Sequence, residues 1–224
     1  MDQNSDFSVR VVVHSADEPW IASPMAGVDR RILDRIGGEV ARATSIVRYA
    51  PGSSFSSHVH TGGEEFLVLD GVFSDEHGDF PAGSYIRNPP QSSHTPGSEP
   101  GTKILVKLWQ FDLDDRTHVR IDTNKMRFVP EREGIEVMPL FCDTHEDVVL
   151  ECWAPGATIR LEAPDGLELL VLEGRFDEGG DTLKRESWLR LPKGHTSTAT
   201  VTDKGAKVWI KRGHLRETPK GPQV

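Results

Sequence analysis

The feature that most constrains this 224-residue sequence is that it repeats itself once, at an offset of about 103 residues. Tyr49-Ala50-Pro51-Gly52 matches Trp153-Ala154-Pro155-Gly156, and Glu65-Phe66-Leu67-Val68-Leu69-Asp70-Gly71 matches Glu168-Leu169-Leu170-Val171-Leu172-Glu173-Gly174. The series continues through Ser84-Tyr85-Ile86-Arg87 with Ser187-Trp188-Leu189-Arg190, Pro89 with Pro192 and His94-Thr95 with His195-Thr196, and closes with Lys103–Lys107 against Lys207–Lys211. A period of this size is that of a whole domain rather than a solenoid unit, and roughly 100 residues can bury an independent core. The chain therefore reads as two tandem copies of one domain. Apolar alternation stops and charge rises across Asp112-Leu113-Asp114-Asp115-Arg116-Thr117, which sets the expected domains at 1–112 and 113–224.

Both copies read as β-structure. Val9–Val13, Thr44–Tyr49, Phe66–Leu69, Lys103–Trp109 and Lys207–Lys211 are short, β-branched or aromatic, and bounded by Gly, Pro or Asp. Asp70-Gly71, Glu76-His77-Gly78-Asp79, Pro81-Ala82-Gly83 and Asp165-Gly166 supply the turn chemistry. The best helical pattern, Val28–Ile36, holds Arg30, Arg31, Asp34 and Arg35 in so short a window that a loop or irregular strand accounts for it equally well. Many short strands with regular turns imply an all-β sandwich or barrel. No apolar run approaches the roughly 20 residues of a membrane helix, and the polar start Met1–Asp6 has no signal-peptide pattern. Two cysteines exclude a disulfide scaffold or Cys-built zinc finger, and a net charge of -9 argues against a phosphate-binding surface. The expectation is a soluble cytoplasmic protein without direct nucleic-acid or membrane partners.

Chemistry concentrates in the first copy. In His58-Val59-His60 the two imidazoles share a strand face, and the Thr61-Gly62-Gly63 turn returns the chain so that Glu64 opposes them. Nitrogen and carboxylate donors on one wall suit Zn, Fe, Mn, Ni or Cu. A further imidazole, His94, follows Gly83 and Pro89 after another strand and turn.

These stretches resemble the two motifs of the cupin superfamily, whose fold is a small jelly-roll or double-stranded β-helix with a metal at its centre. The resemblance implies two tandem cupin domains and carries over His58, His60, Glu64 and His94 as ligands of one divalent transition metal, Zn first, with Fe, Mn or Ni as alternatives. Glu64 is preferred to Glu65 because six residues separate it from Gly71, the usual cupin spacing, and because Glu65 would face the other side of the strand. Gln91 and Ser98 depart from the second motif without replacing a ligand. Arg48–Gly52, His-x-His, Gly62-Gly63-Glu64-Glu65, Leu67–Glu76 and Gly78-Asp79-Phe80 are similar to the cupin domain of ChrR-type anti-sigma factors, closely over residues 20 to 110 and more loosely over 128 to 212.

In the second copy the repeat places Glu162 at His58, Pro164 at His60 and, with one residue deleted in the turn, Leu167 at Glu64, leaving His195 at His94, so this copy is expected to be metal-free and to serve packing, dimerisation or a pocket. Glu168, matching Glu65, implies a structural or rim role shared by both. Tyr85, Arg87 and Gln91 are candidates near the metal. Cys142 and Cys152 are read as free thiols in the β core, with a redox pair as the alternative. Trp20, Trp109, Trp153, Trp188 and Trp209 are read as core, His14, His77, His118, His145 and His214 as solvated, and Lys211–Glu217 as a frayed end. The resemblance implies a sensory or regulatory metal domain that answers a small-molecule or oxidant signal, with a regulatory protein partner, and a homodimer is a separate expectation. It would lack the helical sigma-binding domain. The other reading is a non-haem metal-dependent dioxygenase acting on a small phenolic or keto compound.

Overall fold

The computed structural model of the chain describes residues 2–222. Strands carry the fold, and the only helical segments among the described residues are the short 3-10 turns Ser15–Asp17 and Thr123–Lys125. Neither is long and apolar enough to cross a membrane. Val28–Gly37, the segment with a helical pattern, is a strand paired antiparallel with Ala41–Tyr49. Its charges suit two strand faces. Asp29 bonds Arg48 at 2.9 Å, Arg31 and Arg48 both lie over the Trp20 ring, and Arg30 points to the other face. Trp20 is thus a half-exposed platform for two guanidinium groups and not a core residue.

Each copy builds a sheet of the same order. In the first it runs Val119–Asp122, Ser84–Asn88, Glu64–Asp75, Thr102–Leu108, Ala41–Tyr49, Val28–Gly37, Ile21–Ala22. In the second it runs Val11–His14, Ser187–Leu191, Leu167–Glu178, His195–Arg212, Asp147–Trp153, Ile135–Cys142, Val129–Arg132. The first strand in each order lies in the other copy's stretch of sequence. Val119 pairs with Arg87 and Asp122 with Ser84, while Val11 pairs with Arg190 and His14 with Ser187. Residues 19–125 accordingly belong to one compact unit, with the described parts of 1–5 and 220–224, and residues 6–18 and 126–219 to the other. The units therefore do not coincide with a cut between 112 and 113. Thr123 and Asn124 extend the first unit further, bonding the carbonyls of Gly83 and Ala82.

The two sheets bend at the same place. Register shifts fall at Leu69 and Leu172, just before Gly71 and Gly174, each at φ +71°. A Cβ on either glycine would lie 2.0 Å from a carbonyl oxygen, of Gly101 or Gly205.

Both sheets also bury a ladder of charge on one face. Glu65 stands in register between Arg87 and Lys107, and Glu168 between Arg190 and Lys211, all at most 2% exposed. Buried charge persists only with partners. Tyr85 donates its hydroxyl to Glu65 at 2.8 Å, Arg87 pairs with Asp115 and Lys107 bonds Thr44; in the second unit Lys211 pairs with Glu146 and His214 lies 3.1 Å from Glu168. Lys211 to Leu215 is therefore built into the fold and not frayed: Leu215 is buried against Gly166, and the His214 side chain is 3% exposed. His14 is likewise half-buried, on Ser187. Trp188 and Trp209 are buried on this same face of their strands, while Trp153 belongs to the second unit's core with Leu167, Leu169 and Val171. Cys142 and Cys152 sit opposite Asp147 and Glu136, so they do not face each other; both are free, but Cys142 is exposed and Cys152 half-buried.

Candidate metal centre

His58–His60 pairs antiparallel with Ser92–His94, setting His94 directly across from His58. Period-two alternation keeps His60 on the same face and turns Val59 out to solvent, where it is 55% exposed. One donor nitrogen from each of His58, His60 and His94 lies within 4.8 Å of the others, with ring centroids 4.7–5.1 Å apart. The next strand brings Glu64 Oε2 to 3.4 Å from His60 Nε2 and 3.6 Å from His94 Nε2. His60 Nε2 is buried without a hydrogen-bond partner. Three edge-on imidazoles around one orphaned nitrogen, with a carboxylate beside them, fit a transition-metal ion.

A second layer orients these side chains. Asp75, at the end of the strand that begins with Glu64, is 3.2 Å from His94 Nδ1 and also accepts the His77 N–H. Ser56 O lies 3.2 Å from His58 Nδ1, and Asn88 donates to Glu64 Oε2 at 3.3 Å. Occupying Nδ1 of His58 and His94 leaves each Nε2 to face the cluster. Burial alone would lower the His94 imidazole's pKa, but the Asp75 hydrogen bond and the charges of Glu64 and Asp75 outweigh it and the net shift is upward. His60 moves down, through burial first and then the neighbouring imidazoles, against the pull of Glu64.

The cluster opens on a cavity of about 300 Å³, with His58, His60 and Glu64 on one side and Val28, Val47 and Ile104 among its apolar walls. Tyr49, Arg30 and Trp109 also line it. Burial, then Glu64, pushes the Tyr49 phenol pKa well above its ordinary value. Trp109 is thus a cavity residue rather than core; it lies so close over Gly62 that a Cβ there would meet its ring at 2.1 Å.

Two of the sequence candidates sit elsewhere. Tyr85 and Arg87 belong to the buried charge ladder with Glu65, on the opposite face of the sheet from Glu64. Gln91 has an exposed side chain; it takes the left-handed turn position, φ +71°, and its N–H binds the His60 carbonyl. Arg30, Asp75 and Asn88 were not singled out for the site. Arg30 and Asn88 carry only the signal of parity on strands whose inner face is known, Arg30 being even-numbered like Val28 and Asn88 pairing with Glu64; Asp75 lacks even that, because the bulge at Leu69 reverses the parity of its strand.

The second unit places its residues differently from the expected alignment. Gly63 N–H binds His60 O as Gly166 N–H binds Ala163 O, and Gln91 N–H binds His60 O as Gly194 N–H binds Ala163 O. Ser92 N–H binds Pro89 O as His195 N–H binds Pro192 O. Leu161, Ala163, Leu167 and Ser197 therefore occupy the places of His58, His60, Glu64 and His94. The turn has the same length in both units, so the deleted residue lies upstream, between Gly52 and His58, and His195 sits where Ser92 does. Glu162 corresponds to exposed Val59 and pairs on the surface with Arg160. Leu161, Ala163 and Leu167 are part of the hydrophobic core, at most 2% exposed.

A family model described as the ChrR cupin-like domain matches residues 8–112 and again 116–216. No curated protein matches the chain. Among solved structures, a Nostoc punctiforme protein described as a candidate dioxygenase superposes with a TM-score of 0.74 at 15% identity, covering 97% of this chain and 87% of its own. Escherichia coli Ylba gives 0.70 at 13% identity, covering 93% of each chain. A variant of Bacillus subtilis oxalate decarboxylase gives 0.64 at 12% identity, covering 90% of this chain and 76% of its own. At these identities the likeness is one of fold.

Proposed function

Because this chain belongs to the ChrR cupin-like family, as two tandem cupin domains, we propose that its first domain holds one divalent transition metal on His58, His60, Glu64 and His94 and acts as a metal-dependent oxygenase on a small organic molecule. The observation that carries this reading is the opening of the cluster onto the cavity of about 300 Å³, the lower end of small-molecule pockets. A purely structural zinc has no use for such access. When bound on these residues, the metal would supply Lewis-acid and oxygen-activating chemistry. The protein's own groups do the rest. Asp75 and Asn88 hold His94 and Glu64 in place, the apolar walls exclude water, and Tyr49 keeps a protonated hydroxyl at the edge of the site. A candidate dioxygenase and an oxalate decarboxylase among the fold neighbours are compatible with this chemistry.

The family match itself favours a second reading, a sensory or regulatory domain in which Zn closes the site and is exchanged on oxidation. The test is to reconstitute the metal-free protein separately with Fe(II) and Zn(II) and follow oxygen uptake with phenolic and keto compounds. Fe-dependent uptake that disappears in His94→Ala is the expected result. No uptake with any compound, together with zinc release on peroxide treatment, carries the sensory reading instead.

A further inference from the structure

Three cavity residues of the first unit differ in kind from their counterparts in the second. Ala50 N–H binds Gly27 O as Ala154 N–H binds Gly134 O, so Arg30 stands where the second unit has Val137, a buried core residue. By the same register Tyr49 stands at Trp153. Trp109 N–H binds Gly63 O as Gly213 N–H binds Gly166 O, so Trp109 stands at Gly213. The unit whose interior is filled carries no cation at the first place and no side chain at the last.

We propose that the cavity is a binding site for a small organic acid, its carboxylate held by Arg30 and its apolar or aromatic body lying along the aliphatic wall beneath Trp109. The proposal rests on the metal-centre reading above and names the chemical class that the centre would take. Arg30 lines the cavity with its Nε buried and without a hydrogen-bond partner, and it makes no ion pair among the described residues. A guanidinium set into an apolar wall is stabilised by a planar anion that accepts two parallel hydrogen bonds. The cavity's own carboxylate, Glu64, is turned to the imidazoles and Asn88. A divalent ion with one carboxylate ligand leaves net positive charge, and Arg30 adds to it, so an anion is the favoured guest. The walls of Val28, Val47, Ile104 and Leu108 exclude a densely hydrated anion such as phosphate and suit a carboxylate attached to an apolar body. Trp109 supplies the independent observation. It holds a left-handed backbone, φ +59°, which the second unit gives to glycine at φ +86°. A bulky residue kept in that conformation calls for a local reason, and its contact with the cavity is one. Tyr49 lines the same cavity and makes no hydrogen bond among the described residues, so its hydroxyl can donate to a guest oxygen.

The test uses the full chain loaded with Zn(II), which separates binding from turnover. Phenylacetate and 4-hydroxyphenylacetate are titrated calorimetrically against their neutral amides. The wild type is expected to bind the acids at least about tenfold tighter than the amides, a step of roughly 1.4 kcal/mol. Arg30→Gln should bring acid and amide within about twofold, Arg30→Lys should keep part of the preference, and all should hold the same zinc. Trp109→Gly, which places at this position the residue of the second unit, should weaken acid and amide together. Equal affinities in the wild type, a preference that survives Arg30→Gln, or no binding of any probe overturns the proposal. Acid preference without oxygen uptake in the Fe(II) protein keeps the acid site and removes the oxygenase reading. Uptake with neutral ketones and no acid preference does the reverse.

Discussion

Where the first unit carries His58, His60, Glu64 and His94, the second carries Leu161, Ala163, Leu167 and Ser197, yet both keep the buried Glu–Arg–Lys ladder on the other face of the same strands. The difference separates what the fold requires from what the chemistry requires. Ladder, bulge and glycine pair recur because they shape and hold the sheet. The inner face has two solutions. One fills it with leucines, each worth roughly 1.5–3 kcal/mol on burial. The other leaves a cavity beside a cluster whose bound ion, at a thousandfold excess over its dissociation constant, would return about 4 kcal/mol. Asp75 and Glu178 mark the turn between the two. Each is four residues past its bulge glycine; Asp75 holds His94, while Glu178 accepts the Ser197 hydroxyl and pairs with Arg10.

Adjacent glutamates give the sharpest division. Glu65→Gln should destabilise the first unit by about 3–5 kcal/mol, since it leaves Lys107 and Arg87 buried beside a neutral group, while folded protein keeps its metal. Glu64→Gln should leave the metal-free fold nearly unchanged and take bound metal from stoichiometric to trace, as should His60→Ala. Denaturant melts and elemental analysis of the same samples decide this. Metal loss in Glu65→Gln with retention in Glu64→Gln would invert the assignment of faces, and two equivalents of metal per wild-type chain would end the contrast between units.

A smaller effect is expected at Asp75. Replacing it with Asn should weaken metal binding about 10- to 100-fold, the usual cost of losing a carboxylate behind a ligating imidazole. The pH dependence has a definite sign. In the metal-free fold the His94 pKa is raised, net of burial, by Asp75 and Glu64, so protons compete with metal below that raised value. Removing the Asp75 charge lowers it, and the acid limb of metal binding should move to lower pH. The same raised pKa stabilises the metal-free fold at acidic pH and ceases to do so as pH rises through it. A uniform loss of affinity without displacement of the acid limb would make Asp75 merely structural.

The smallest effect should come from the residues that a sequence alignment puts at the second unit's vacant ligand places. Glu162→Ala and His195→Ala should each alter stability by less than about 0.5 kcal/mol and leave metal content untouched, because Glu162 is in an exposed ion pair and His195 occupies the position of Ser92. A metal loss in either would show that the register of the second unit is wrong.

The all-β character was legible from period-two alternation and turn residues and the two domains from the internal repeat, while alternation alone put His58 and His60 on one face; that Glu64 and His94 join them was implied by the cupin resemblance, His94 coming from a later strand. Arg30 was not legible, since it reaches the site from a strand distant in sequence, nor was Asp75, which shares a strand with Glu64 but lies beyond the bulge at Leu69 that reverses the alternation. The same holds for His195, where identity of residue type misled the alignment. Hydrogen bonds at the Pro192 and Gly194 turn, which no residue-matching rule weighs, set the true register. Val28–Gly37 hid as a strand because its charges serve two faces.

The crossing of Val11–His14 and Val119–Asp122 into each other's sheets bears on how such a molecule could be inherited or dissected. A fragment of residues 1–112 would leave Ser84–Asn88 as an open edge and carry Val11–His14 without its partner, inviting intermolecular pairing. A fragment of residues 19–125 keeps its border strand. A forebear with a single copy could have completed its sheet in this manner only by trading that strand with a second molecule. Fusion of two copies in one chain makes the trade permanent and frees one partner's interior to change.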